Sequence, residues 1–137
     1  MGAGFEVLEH TADVGIRAWG AGLAEALEQA ARGLVELLGA RAEGPGEARR
    51  LAVEADDPGA LAVELLNELL FLHETEEAGF AAVRVLEADG RRAEVEVELV
   101  PLAGEPGGTA VKAATYHRLA VERRPDGAVE IRVYLDV

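Results

Sequence analysis

Apolar and polar positions along the chain change period several times, and each change marks a new element. Residues 14–20 alternate, with Val14, Ile16 and Ala18 on one face and Gly15, Arg17 and Trp19 on the other, and 5–8 are similarly short and apolar. The pattern predicts two short strands around the polar stretch "EHTAD". From Leu23 the spacing shifts to three and four: Leu23, Leu27, Ala30, Ala31, Leu34, Val35 and Leu38 share one stripe. That is an amphipathic helix, closed near Gly39, a residue suited to the left-handed turn that ends helices. Residues 40–48, "ARAEGPGEA", read as a Gly/Pro turn segment too short to link two domains.

A strand over 51–55 leads into "DDPG", where Asp57 can cap free helix amides and Pro58 can occupy the first turn without losing a needed donor. In the helix that follows, the stripe of Leu61, Leu65, Leu69 and Leu72 is widened by Leu66 and Phe71, so this helix is expected to be largely buried. Asn67, Glu68 and His73 interrupt it and read most simply as a polar edge or satisfied core groups. The second half predicts strands at 80–87 and 93–100 joined by "ADGR", then a flexible loop at 101–109. A final hairpin pairs "VKAATYHRLAVERR" with "AVEIRVYLDV" through "PDG". Runs of adjacent strands with two helices predict an α+β fold: a mainly antiparallel β-sheet packed by two amphipathic helices.

A chain of 137 residues fits one domain, here 1–137, and buries roughly two thirds of its unfolded surface. No charged-then-apolar leader opens it and no apolar run approaches membrane length, so a cytoplasmic protein with no membrane partner is expected. Cys and Ser are absent, which excludes thiol and serine nucleophiles, disulfides and thiolate zinc sites. Twelve arginines against one lysine suggest a GC-rich source and make Lys112 stand out. The net charge of −13 opposes a phosphate backbone, so no direct nucleic-acid binding is expected. A cation or a basic protein would be attracted instead, although solubility alone accounts for most acidic surfaces.

Glu94, Glu96 and Glu98 sit about 7 Å apart on one strand face and read as a solvated sheet surface rather than metal ligands. The end of the sequence differs. If Val129, Ile131, Val133 and Leu135 face the core, then Glu130, Arg132, Tyr134 and Asp136 share the other face, and Asp136 stands beside Val137, read as an α-carboxylate. Adjacent anions call for a cation or donors between them, and oxygen-only ligands suit Ca²⁺ or Mg²⁺. Asp13 is the nearest candidate for a third ligand. Each also has a plain reading, Asp13 as a turn cap and Asp136 as a solvated carboxylate. His10 alone reads as a packed or hydrogen-bonded imidazole rather than a ligand. Lys112, Thr115 and His117 follow a Gly-rich loop and offer an anion grip, a proton-transfer pair or a solvated strand edge.

Four blocks, "EHTADVGIRAWG", "LLNELLFL", "VKAATYH" and "YLDV", stand in the order and spacing of the archease family, which the whole chain resembles. The resemblance implies a small α+β protein that activates RtcB-type RNA ligases, which join RNA ends with GTP and Mn²⁺ in tRNA splicing and RNA repair. It also implies a divalent-metal site between Asp13 and Asp136, with Val137 contributing main-chain oxygen. His10, Lys112 and His117 match family positions and are expected on the activating surface. The implied mechanism involves no bond chemistry by the protein itself: it docks near the ligase active site and helps place metal and nucleotide. Two alternatives are a small metal-dependent hydrolase using His10 and Asp13, and a general protein-binding chaperone.

Overall fold

A computed structural model describes residues 2–9 and 14–137, with the backbone alone at Glu9. β1 (Gly4–Glu9) pairs antiparallel with β2 (Val14–Gly20). α1 (Leu23–Leu38) ends at Gly39, whose φ of 66° is left-handed and whose N–H reaches the Glu36 and Val35 carbonyls. After β3 (Glu47–Glu54), α2 (Pro58–Thr75) starts as its sequence predicts: Asp57 Oδ1 accepts from the Ala60 N–H at 2.8 Å, and Pro58 fills the first turn. The remaining strands are β4 (Ala78–Ala88), β5 (Arg92–Pro101), β6 (Ala113–Arg123) and β7 (Val129–Asp136).

Every strand-to-strand pairing is antiparallel, as expected, but the strands divide between two sheets, ordered β1-β2-β7-β6 and β3-β5-β4. The helices account for the division, because both touch both sheets. α1 packs on β1, β2 and β7 of one sheet and on β4 of the other, and α2 packs on β6 and β7 and on β3 and β4. A helix covered over most of its circumference, as α2 is, must be apolar nearly all round. In α2, Leu61, Ala62, Val63, Leu65, Leu66, Leu69, Leu70 and Leu72 are all buried, and each leucine contributes about 2 kcal/mol of transfer free energy. α1 keeps a polar outer face. Gly33 lets it lie close to the sheet: a Cβ there would stand 3.0 Å from both Ile16 and Phe5. Among the described residues no helix is long and apolar enough to cross a membrane.

Two expectations are corrected. β3 begins at Glu47, inside the segment read as a turn, and Ala40 and Ala42 bond to Phe80, at 2.8 and 3.0 Å. Alternation fails to announce this strand because it lies at a sheet edge with both faces largely exposed. The 101–109 loop, expected to be flexible, is fastened at its far end. The Thr109 N–H donates to the Leu37 carbonyl at 2.8 Å, and a Cβ on Gly108 would fall 2.3 Å from that same oxygen. The glycine there serves close backbone approach rather than mobility.

The polar residues of α2 follow the plain reading. His73 Nδ1 donates to the Ala78 carbonyl at 2.7 Å, since a carbonyl can only accept. Asn67 bonds the backbone of Ala114 on both sides.

Candidate functional site

The strand registers bring distant parts of the chain to one end of the larger sheet. Glu9 pairs with Val14, and Val14 pairs with Leu135. The two residues that bound segment 10–13 therefore stand at the end where β7 finishes with Asp136. On the other side of β7, Ala113 pairs with Asp136, and the Lys112 N–H donates to the Asp136 carbonyl at 2.7 Å. α2 joins through Asn67, whose Oδ1 accepts from the Ala114 N–H at 2.8 Å and whose Nδ2 donates to the Ala114 carbonyl at 3.3 Å. β6 is an edge strand, and this amide imitates the neighbour it lacks.

Beyond Thr115 the β6–β7 ladder breaks. Thr115 pairs with Tyr134 and Ala120 with Arg132, so 116–119 stand opposite Val133 alone. Arg118 takes a φ of 57° within this bulge, and its guanidinium lies 5.5 Å from the centre of the Tyr134 ring. Thr115 holds the start of the bulge: its Oγ1 donates to the Tyr134 carbonyl at 3.0 Å and accepts from the His117 N–H at 3.3 Å.

Lys112, His117, Asp136 and Val137 are all exposed. His10 and Asp13 lie outside the described residues, and with them the Asp13 half of the expected metal pair. Among the described residues no three His, Asp or Glu side chains gather as metal ligands. Glu94, Glu96 and Glu98 conform to the plain reading in part. They are half-buried along the central strand of their sheet, and Glu94 and Glu96 pair with Arg92 and Arg84, at 2.5 and 3.1 Å.

The face of β7 opposite the core carries Glu130, Arg132, Tyr134 and Asp136, as expected, but it is not open. Glu130 is 8% exposed and Tyr134 9%. Arg17 contacts Glu130 at 3.0 Å, Arg124 Nε at 2.8 Å and Arg132 at 3.5 Å, while Trp19 stacks under the guanidiniums of both Arg17 and Arg124. Burial pushes the Glu130 carboxyl up, but the hydrogen bonds from Arg124 and Arg17 outweigh it and hold the group below its ordinary value of 4.5. The unfolded chain then binds this proton more readily than the folded one. The stabilisation is present above about pH 4.5 and disappears as pH falls through the lower folded value. Glu130→Gln is expected to lower stability at pH 7 by about 2 kcal/mol and to flatten the acid limb of the stability curve, read by urea unfolding between pH 3 and 7.

A cleft of about 460 Å³ lies elsewhere, between α1 and β4, lined by Phe5, Arg32, Val35, Arg41, Phe80 and Arg84 among others. None of the described candidate residues lines it. Its arginines come from three separate segments with no shared sequence signal, which is why sequence reasoning missed it.

The archease protein family model (MTH1598/TM1083) matches residues 5–137. An archease of Thermococcus gammatolerans is 38% identical over 129 residues, which cover 90% of this chain and 91% of that protein. An archease-like protein of Dictyostelium discoideum is 32% identical over 142 residues, 97% of this chain and 93% of its own. The solution structure of Methanobacterium thermoautotrophicum protein 1598 matches with a TM-score of 0.78 at 32% identity, over 98% of this chain and 99% of that one. A crystal structure from Thermotoga maritima, described as an archease and possible chaperone, has a TM-score of 0.69 over 96% of each chain; at 23% identity it bears on the fold alone. The fold is shared and the match runs nearly end to end: the chain belongs to the archease family.

Proposed function

We propose that the protein activates an RtcB-type RNA ligase, promoting ligase guanylylation and repeated turnover in tRNA splicing or RNA repair, in the cytoplasm and without binding nucleic acid itself. The observation that carries this reading is the convergence of Val14, Lys112 and Asp136 at an exposed sheet end, away from the cleft between α1 and β4. An exposed constellation suits a surface offered to another protein better than a hydrolase pocket. The net charge of −13 favours a partner that presents basic surface to RNA.

A divalent ion, Ca²⁺ or Mg²⁺, would be held by the Asp13 and Asp136 carboxylates and a main-chain oxygen of Val137. The donor set fits: every candidate is a hard oxygen, and Asp136 stands exposed at the strand end. Such an ion supplies fixed positive charge to an otherwise acidic edge. His10, Lys112 and His117 complete the activating surface.

Multiple-turnover ligation by the cognate ligase, with and without this protein, tests the reading. Stimulation supports it. Turnover of RNA or nucleotide by this protein alone would establish the hydrolase instead, and protection of unrelated proteins without effect on the ligase would establish a general chaperone. Within this reading Lys112→Arg keeps the charge but replaces a compact ammonium with a planar fork. The ligase guanylylation rate at saturating activator is expected to fall roughly fivefold, about 1 kcal/mol, with the melting temperature unchanged. An unchanged rate would make Lys112 an ordinary solvated residue.

A further inference from the structure

The chain holds three Phe, two Tyr and one Trp, and two of these aromatics are mostly in solvent: Phe71 at 59% exposure and Tyr116 at 58%. Phe71 is the departure in α2, whose other large apolar side chains are buried. Helical spacing places it on the outer stripe with Glu64, Glu68 and Thr75, and Glu74 flanks it.

Two contacts locate Phe71 against the candidate site. Leu119 of β6 lies against Gly59 at the start of α2, where a Cβ would come within 2.9 Å of it, and Asn67 brackets Ala114 farther along. β6 therefore runs opposite to α2. Four residues of helix advance about 6 Å and two residues of strand about 6.6 Å, so Phe71 comes level with Lys112. Lys112 in turn is bonded through its N–H to the Asp136 carbonyl. An exposed aromatic on an acidic stripe of α2 thus stands at the same end of the molecule as the residues assigned to activation.

We propose that Phe71, rimmed by Glu64, Glu68 and Glu74, is the anchor by which this protein docks on its ligase, entering an apolar pocket within a basic surface of that partner. The inference rests on the proposed function. Aromatic side chains at the centre of an interface carry much of its energy, while charges at the rim steer encounter and weaken with salt. Division of labour follows: Phe71 sets how tightly the proteins associate, and Asp136 and Lys112 set what happens once they have.

The experiment compares wild type, Phe71→Ala and Phe71→Tyr in two measurements: direct binding to the purified ligase by interferometry, and ligation titrated with activator to saturation. Phe71→Ala is expected to raise the dissociation constant and the half-saturating concentration at least tenfold, leaving the saturated rate and the melting temperature unchanged. Phe71→Tyr should recover most of the affinity, and added salt should weaken wild-type binding. A Phe71→Ala protein that binds like the wild type would overturn the anchor, even with stimulation by the wild type intact, in which case the proposed function still stands. Tenfold weaker binding without any stimulation by the wild type would uphold docking and refute activation. A wild type that does not bind the ligase overturns both.

Discussion

Asp136→Ala is expected to lower the saturated rate of ligase guanylylation by at least tenfold, about 1.4 kcal/mol of transition-state stabilisation, with little change in stability in the absence of metal. The side chain is exposed at the last residue of β7, so its removal leaves no cavity and breaks no core contact. The backbone bond from Lys112 to the Asp136 carbonyl survives in the alanine variant, so the β6–β7 edge keeps its register. A metal series separates this role from a merely solvated carboxylate. An ion that binds only the folded state at about 100 times its dissociation constant stabilises by about 2.7 kcal/mol, several degrees in melting temperature for a domain of this size. Calcium or magnesium should give that shift in the wild type and much less in Asp136→Ala. Equal shifts in the two proteins would remove Asp136 from the metal site, and an unimpaired rate would remove it from activation.

Local chemistry made much of the fold legible. The period of α1 and its Gly39 stop, the Asp57 and Pro58 start of α2, and the two hairpin turns are all written in neighbouring residues. Asp89 bonds the Arg91 and Arg92 amides in one turn, and Asp126 bonds Ala128 in the other, where Gly127 takes a φ of 89°. What was not legible depends on neighbours far along the chain. α2 was recognised as apolar nearly all round, yet that pattern does not say that a second sheet covers its other side. The exposed start of β3 looks like a turn because an edge strand needs no alternation. Gly108 looks like a hinge until the end of α1 is placed against it.

The candidate site divides in the same way. Asp136 and Lys112 were singled out separately, one for its adjacent carboxylate and one for being the lone lysine, and only the β6–β7 register makes them neighbours. Glu130 sits on the face opposite the core, as the alternation of β7 predicts, yet it is nearly covered, because Arg17, Arg124 and Arg132 arrive from β2, the β6–β7 turn and β7 itself. Such a network needs three segments to converge, and no spacing along the chain encodes it. Phe71 was counted as part of the apolar stripe of α2. Its exposure could have been suspected from the wheel, since it falls among Glu64, Glu68 and Thr75 rather than among the leucines.

Asn67→Leu should have a comparably large effect, this time on stability. The side chain it replaces satisfies both the N–H and the carbonyl of Ala114, in a half-buried position at the open edge of β6. Leucine keeps the same branching at Cγ but can make neither bond. Leaving a buried donor and acceptor unpaired costs about 1–3 kcal/mol each, and partial access of water brings the expected total to about 2–4 kcal/mol. The loss also bares a strand edge, so the variant should aggregate more readily at high concentration. A functional consequence follows from the same bond. Asn67 holds β6 in register with α2, and through β6 it aligns Lys112 and Asp136 with Phe71. The variant should therefore lose activation at temperatures well below its own melting point, because the Phe71 anchor is no longer fixed against Lys112 and Asp136. Urea unfolding with an unchanged m-value measures the first effect, and ligase titration at 25 °C the second. A destabilisation under about 1 kcal/mol would mean that water replaces the amide without loss. Full activation by a strongly destabilised variant would mean that the register of α2 against β6 does not govern docking.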